Sequence, residues 1–199
     1  MAQTLYSTTK TVVKSLPDRT AEVVFRRFGI DNGKRETLES IGQSFDITRE
    51  RVRQIEVSAL KTLRNNALIA NIQQHLMELE QYMHEHGSIM AENHVLDHFA
   101  SLNNNESESQ KAVQGCVLLL LHVGDNFYRM RGTDEFHPHW VADKTKIDNM
   151  KSAINLLENH FSNRYSTTTR RTNKYTSKNR YQSQSRHNQS ICKCIASYS

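Results

Sequence analysis

The chain has 199 residues, of which 37% are hydrophobic, with a mean hydropathy of -0.69 and a formal net charge of +5. That length holds one or two small domains, and so low an apolar share excludes one compact globule made from all of it. The longest apolar run, residues 117–121, is far short of the roughly 20 residues that span a membrane.

Charge is unevenly placed. Residues 1–66 hold 12 basic and 8 acidic side chains, residues 67–160 hold 6 and 13, and residues 161–199 hold 8 and none. Contact with a polyanion is therefore expected of the first segment and the tail, not of the acidic middle. Cys116 lies in the apolar run and reads as a buried free thiol, while Cys192 and Cys194 lie in the tail. Residues 1–15 lack the apolar core of a signal peptide. The expected setting is the reducing cytoplasm.

Residues 1–15 are polar and read as a flexible N-terminus. A helix is predicted over 18–28, with Pro17 at its start and Leu16, Val23, Val24 and Phe28 turned inward. Gly29 ends it, and Asp31-Asn32-Gly33 marks a turn. A short helix follows over 38–44, capped by Thr37 and apolar at Leu38, Ile41 and Phe45. Three residues, Asp46-Ile47-Thr48, lead to a longer helix over 49–64. There Thr48 is the natural cap, and Val52, Ile55, Ala59 and Leu63 recur at spacings of 3, 4 and 4, which is one buried face. A short helix, a tight link and a longer basic helix form the helix-turn-helix pattern. Arg49, Glu50, Arg53 and Gln54 fall outside the buried face in the first two turns of the second helix. Arg can bond guanine through two acceptors, Gln can bond adenine, and Glu can accept from cytosine. Arg51, Arg53 and Lys61 can neutralise phosphates. A solvated charged helix face would show the same periodicity.

Further along, a helix over 68–84 carries an apolar stripe at Ile69, Ile72, Leu76, Leu79 and Met83. Helices over 91–99 and 110–122 follow, the last with Ser109 as its cap. Residues 127–131 and 139–142 can pair as a hairpin. A final helix over 144–161 places Ile147, Met150, Ile154, Leu157 and Phe161 on one side. Three helices and a hairpin read as a winged helix. His84/His86 and His137/His139 lack the cysteine or carboxylate partners of a metal site, and Cys192-Lys193-Cys194 is too tight for a zinc knuckle alone. No nucleophile motif, phosphate loop or tasked carboxylate pair is present, so neither an enzyme nor a cofactor, metal or small-molecule substrate is expected. The tail, 163–199, has too few apolar residues to fold. Its charge either adds salt-sensitive DNA affinity or marks an unselected, frameshifted end.

The strings Leu16-Pro17-Asp18-Arg19, Arg26-Arg27-Phe28-Gly29-Ile30, Glu36-Thr37-Leu38-Glu39-Ser40-Ile41-Gly42 and Thr48-Arg49-Glu50-Arg51-Val52-Arg53-Gln54-Ile55-Glu56, with Ala59-Leu60 and Leu63-Arg64, resemble region 4 of the sigma-70 family. The resemblance covers residues 16–64. It implies a module that reads the minus-35 promoter element of double-stranded DNA. Arg49, Glu50 and Gln54 would read bases. Thr37, the backbone amide of Leu38, Thr48, Arg51 and Arg53 would hold the phosphate backbone, helped by the helix-start dipole. The family also docks region 4 on the β flap of RNA polymerase. Phe28 and Ile30 lie where such a patch could form, or else belong to the core. About 15 residues precede the resemblance, too few for the family's region 2, so a complete sigma factor is not expected; the chain reads as a stand-alone regulator built on the region 4 module or as a fragment of a longer gene. Residues 67–162 are weakly similar to the HARE-HTH winged-helix family through His86-Gly87-Ser88-Ile89, Val95-Leu96-Asp97-His98-Phe99, Phe127-Tyr128-Arg129 and Trp140-Val141. The expected fold is therefore mainly α: residues 1–15 loose, 16–66 the DNA-binding helix-turn-helix, 67–162 a winged helix, and 163–199 a basic tail. The expected function is sequence-specific transcription regulation in initiation. The alternative is a polymerase-interaction protein that docks on the β flap and competes with sigma factors.

Overall fold

The computed structural model describes residues 4–65, 69–103, 108–133 and 136–169, with the side chains of 69 and 162–169 excepted. Eight helices and three short strands are found among them: α1 (Leu5–Lys14), α2 (Asp18–Phe28), α3 (Leu38–Phe45), α4 (Arg49–Asn65), α5 (Ile69–Glu85), β1 (Ile89–Ala91), α6 (Glu92–Leu102), α7 (Gln110–Val123), β2 (Tyr128–Met130), β3 (His139–Val141) and α8 (Lys146–Thr169). The chain is mainly α, as the periodicities predict. No helix among the described residues is long and apolar enough to cross a membrane.

The N-terminus corrects the expectation of a loose segment over 1–15. Thr4 caps α1 by accepting from the Ser7 amide, and Leu5, Thr8, Thr9, Val12 and Val13 are buried. Their spacing of 3, 1, 3 and 1 places them on one helical face. Two threonines complete that face, which is why it does not read as apolar in sequence. The helix packs on α5, α7 and α2.

Two cores result. The larger gathers Leu5, Val12 and Val13 of α1, Val24 and Phe28 of α2, Ala59 and Leu63 of α4, Ile72 and Leu79 of α5, Val95 and Phe99 of α6, much of α7, and Trp140 of β3. It runs continuously across the boundary expected near residue 66. The smaller core joins Val23, Ile41 and Val52, with Leu38, Phe45, Ile47 and Ile55 packed around them. The short helix and the longer helix are thus clamped together with Val23 of α2, while the far end of the longer one shares the main core.

The seam between the two lobes is close. A Cβ on Gly115 would lie 2.4 Å from the Phe28 carbonyl oxygen, so α7 approaches the end of α2 at a distance only glycine permits. Phe28 meets the His122 ring edge-on at 5.4 Å, and His122 meets Trp140 edge-on at 4.9 Å. Arg64 donates to the carbonyls of His122 and Val123, at 2.6 and 3.1 Å, binding them as a charge-assisted cap on the end of α7.

In the second lobe β3 lies between β1 and β2, antiparallel to both. Trp140 sits opposite Met90 on one side and Arg129 on the other. The hairpin was expected; β1 was not. Ser109 occupies the N-cap position of α7, but its side chain accepts no capping bond. The final helix runs to Thr169, so the expected tail boundary at 163 falls inside it; residues 170–199 lie outside the described residues.

Candidate nucleic-acid interface

The helix-turn-helix is built by caps and by one tight turn. Thr37 starts α3 by accepting from the Ser40 amide at 3.1 Å. Leu38 is the first residue of that helix, so its amide is among those without an intrahelical acceptor. Asp46 ends α3 in the left-handed region at φ 54°. A Cβ on Gly42 would lie 2.7 Å from the Ile47 carbonyl oxygen, so glycine lets the link fold flat against α3. Thr48 then caps α4 through a bond from the Arg51 amide at 3.2 Å.

With Val52 buried, α4 turns Arg49, Glu50, Arg51, Arg53 and Gln54 to solvent. The expected base-reading and backbone residues of this helix are therefore brought together on one open face. They are also engaged with one another. Arg53 donates twice to the Glu50 carboxylate, both bonds at 2.8 Å, and Arg51 donates to the Gln54 amide oxygen at 3.1 Å. The Arg53 guanidinium holds the Glu50 carboxyl below its ordinary range. The Arg49 side chain is exposed and makes no hydrogen bond or ion pair with the described residues, though its charge helps to lower the Glu50 carboxyl.

A brace behind this face was not legible in the sequence. Arg26 donates twice to Glu36, both at 2.8 Å, and once to the Ser44 hydroxyl at 2.7 Å. Ser40 donates to the same carboxylate at 3.0 Å. The Phe45 ring carries Arg19 and Arg26 at 5.3 and 5.5 Å, close enough for cation–π attraction. Together these tie the end of α2, the cap of α3 and the turn. The Arg26 guanidinium lowers the Glu36 carboxyl from 4.5 to about 2. A depressed carboxylate stabilises the fold above its unfolded value, and that stability is lost as pH falls through the folded value. We expect wild-type chain to lose about 1 kcal/mol more than Glu36→Gln between pH 5 and pH 2, the figure being small because solvent screens the pair. Urea midpoints at the two pH values measure it; equal losses would remove the brace from the account.

Phe28 and Ile30 are placed elsewhere than the docking expectation had them. They are 2% and 0% exposed and lie in the main core. An exposed patch made of them does not exist in this fold, because α7 fills the space. Around that seam, burial alone would raise the Glu92 carboxyl, yet the Arg129 guanidinium at 2.6 Å and the Trp140 indole N–H at 3.1 Å hold it low. Burial pushes the His122 imidazole down and the Cys116 thiol up to about 12, so Cys116 is the inert buried thiol expected. No cluster of three or more metal-ligating side chains occurs among the described residues.

Residues 12–65 match the family described as Sigma-70, region 4. The RNA polymerase sigma factor RpoD of Neisseria gonorrhoeae is 49% identical over 65 residues, which are 33% of this chain and 10% of that protein. SigA of Lactococcus lactis subsp. cremoris is 50% identical over 54 residues, 27% of this chain and 15% of that protein. SigA of a Nostoc species is 52% identical over 54 residues, 27% of this chain and 14% of that protein. The chain thus spans between 10 and 15% of the length of these curated relatives. The family match stops at residue 65 and does not reach the segment likened to HARE-HTH. The capped turn, the Val23–Ile41–Val52 clamp and the open arginine-rich start of α4 sit within the matched span, so residues 12–65 form a helix-turn-helix similar to sigma-70 region 4.

Proposed function

We propose that the chain is a sequence-specific DNA-binding regulator acting in transcription initiation, with the start of α4 inserted in the major groove of a minus-35-like element. One observation carries the reading: within a matched region 4, the second helix buries Val52 and turns Arg49, Glu50, Arg53 and Gln54 outward. Arg49, Glu50 and Gln54 read bases; Thr37, the Leu38 amide, Thr48, Arg51 and Arg53 hold phosphates. The helix-strand-helix-helix-strand-strand order of 69–141 supports reading the second lobe as a winged helix. The role is binding in the bacterial cytoplasm, without catalysis or cofactor. Docking on the polymerase β flap through Phe28 and Ile30 would first require α7 to leave them, and so has less support than DNA reading.

The test is binding of the purified chain to duplexes with a TTGACA-like element against a scrambled duplex at one fixed salt. Preference for the element is expected. Equal binding would shift the role to polymerase contact, read by pull-down of the β subunit. The same assay across salt should give a log–log slope near about −3.6, for about four phosphates neutralised. A flat response would rule out groove binding.

A further inference from the structure

The final helix carries an apolar face that nothing in the chain's cores absorbs. Ile147, Met150, Ile154, Leu157 and Phe161 recur at spacings of 3, 4, 3 and 4, the a/d pattern of two heptads. Ile147 and Met150 lean toward the hairpin, where with Met130, Phe136 and His139 they line a cavity of 410 Å³. Farther out, Leu157 and Phe161 are 39% and 37% exposed. Neither they nor Ile154 join a core cluster of the described residues. Exposed leucine and phenylalanine in a continuous stripe mark an interaction surface rather than scattered surface apolarity.

We propose that this face pairs with the same face of a second copy of the chain, as an antiparallel two-helix contact from Met150 to Phe161. Charge along the stripe's edges selects both partner and direction. One edge carries Lys151 and Glu158; the other carries Lys146, Ala153 and His160. In a parallel pair, opposite edges meet, and Lys146 of each copy faces the partner's Lys151, a like-charge contact. In an antiparallel pair, like edges meet. Placing Met150 opposite the partner's Phe161 and Ile154 opposite the partner's Leu157 sets Lys151 beside the partner's Glu158, twice by symmetry. A contact with its own copy is isologous and closes at two chains. Leu156 lies on the opposite side of the helix and takes no part. The chain's own tail is a poor occupant, since residues 170–199 are basic and sparsely apolar.

The contact is four layers deep, which places it among small interfaces, so assembly depends on concentration. Sedimentation equilibrium of the full chain from about 1 µM to about 500 µM brackets that range. The mass should rise from 23.0 kDa toward twice that value. Ile154→Asp and Leu157→Asp should each stay monomeric throughout, with unchanged circular dichroism and urea midpoint, because both positions lie outside the cores. Glu158→Lys should weaken dimerisation at least about tenfold at low salt, and adding Lys151→Glu should restore it, since the swapped charges still meet their opposites. A monomer at every concentration, or a dimer indifferent to Ile154→Asp, would overturn the proposal. So would a double charge swap that fails to restore what Glu158→Lys removes.

Discussion

Trp140→Ala is expected to lower folding stability by about 3–5 kcal/mol, the range for deleting a large buried ring. The indole is 2% exposed, so its loss leaves a cavity that the surrounding sheet cannot fill. The loss reaches further than volume. The indole N–H donates to Glu92, and its ring backs His122, which in turn backs Phe28. Removing it strips a donor from a part-buried carboxylate and loosens the row of edge-on rings that joins the lobes. Because native domains keep only about 5–15 kcal/mol, this one change can consume most of the margin. Trp140→Phe keeps a ring but no donor, and should cost less. Urea denaturation followed by circular dichroism measures both. The shared core further implies one transition. Amide signals of Val52 and Val95 should vanish at the same urea concentration, and separate midpoints would show the lobes to be independent.

The second large effect concerns DNA. Each bidentate base contact discriminates by about 1–3 kcal/mol, or about 5- to 150-fold. Arg49→Ala and Gln54→Ala should therefore lower the ratio of element to scrambled binding by that factor. Arg51→Ala should instead weaken both duplexes alike and reduce the salt slope by about one. Glu50→Ala separates the roles further. It removes a negative charge and frees Arg53 from its two bonds, so scrambled binding should tighten while preference falls. Fluorescence anisotropy at one salt concentration compares all four, and a salt series gives the slope for Arg51→Ala. If Arg49→Ala leaves the ratio unchanged, the start of α4 is not the reading head.

Much of this interface was legible because its parts are local. Thr37 and Thr48 are caps within a few residues of the amides they bind. Val52, Ala59 and Leu63 follow the helical period and are buried. The predicted 18–28 and the observed Asp18–Phe28 coincide because Gly29 adopts φ 71° and stops the helix. What escaped was non-local or unperiodic. Arg26 meets Glu36 across a turn, and nothing in their spacing announces it. Strand β1 is three residues long and exists because β3 arrives beside it. Helix α1 is rich in threonine and valine, poor helix formers alone, and is held by packing supplied from far along the chain. For the same reason Phe28 and Ile30 read equally as patch or core until α7 was seen against them.

That first helix has a consequence for how the chain comes to be folded. Two of its three partners, α5 and α7, begin at Ile69 and Gln110, so α1 rests on α2 alone until these later helices have left the ribosome. Contacts this distant in sequence form slowly, and the apolar side of Leu5, Val12 and Val13 stays only partly covered meanwhile. The helix-turn-helix, whose small core is complete by Ile55, can close early. Nascent chains stalled near residue 70 should then show a formed helix-turn-helix while α1 is still accessible to protease, with full protection of α1 appearing only after α7 emerges.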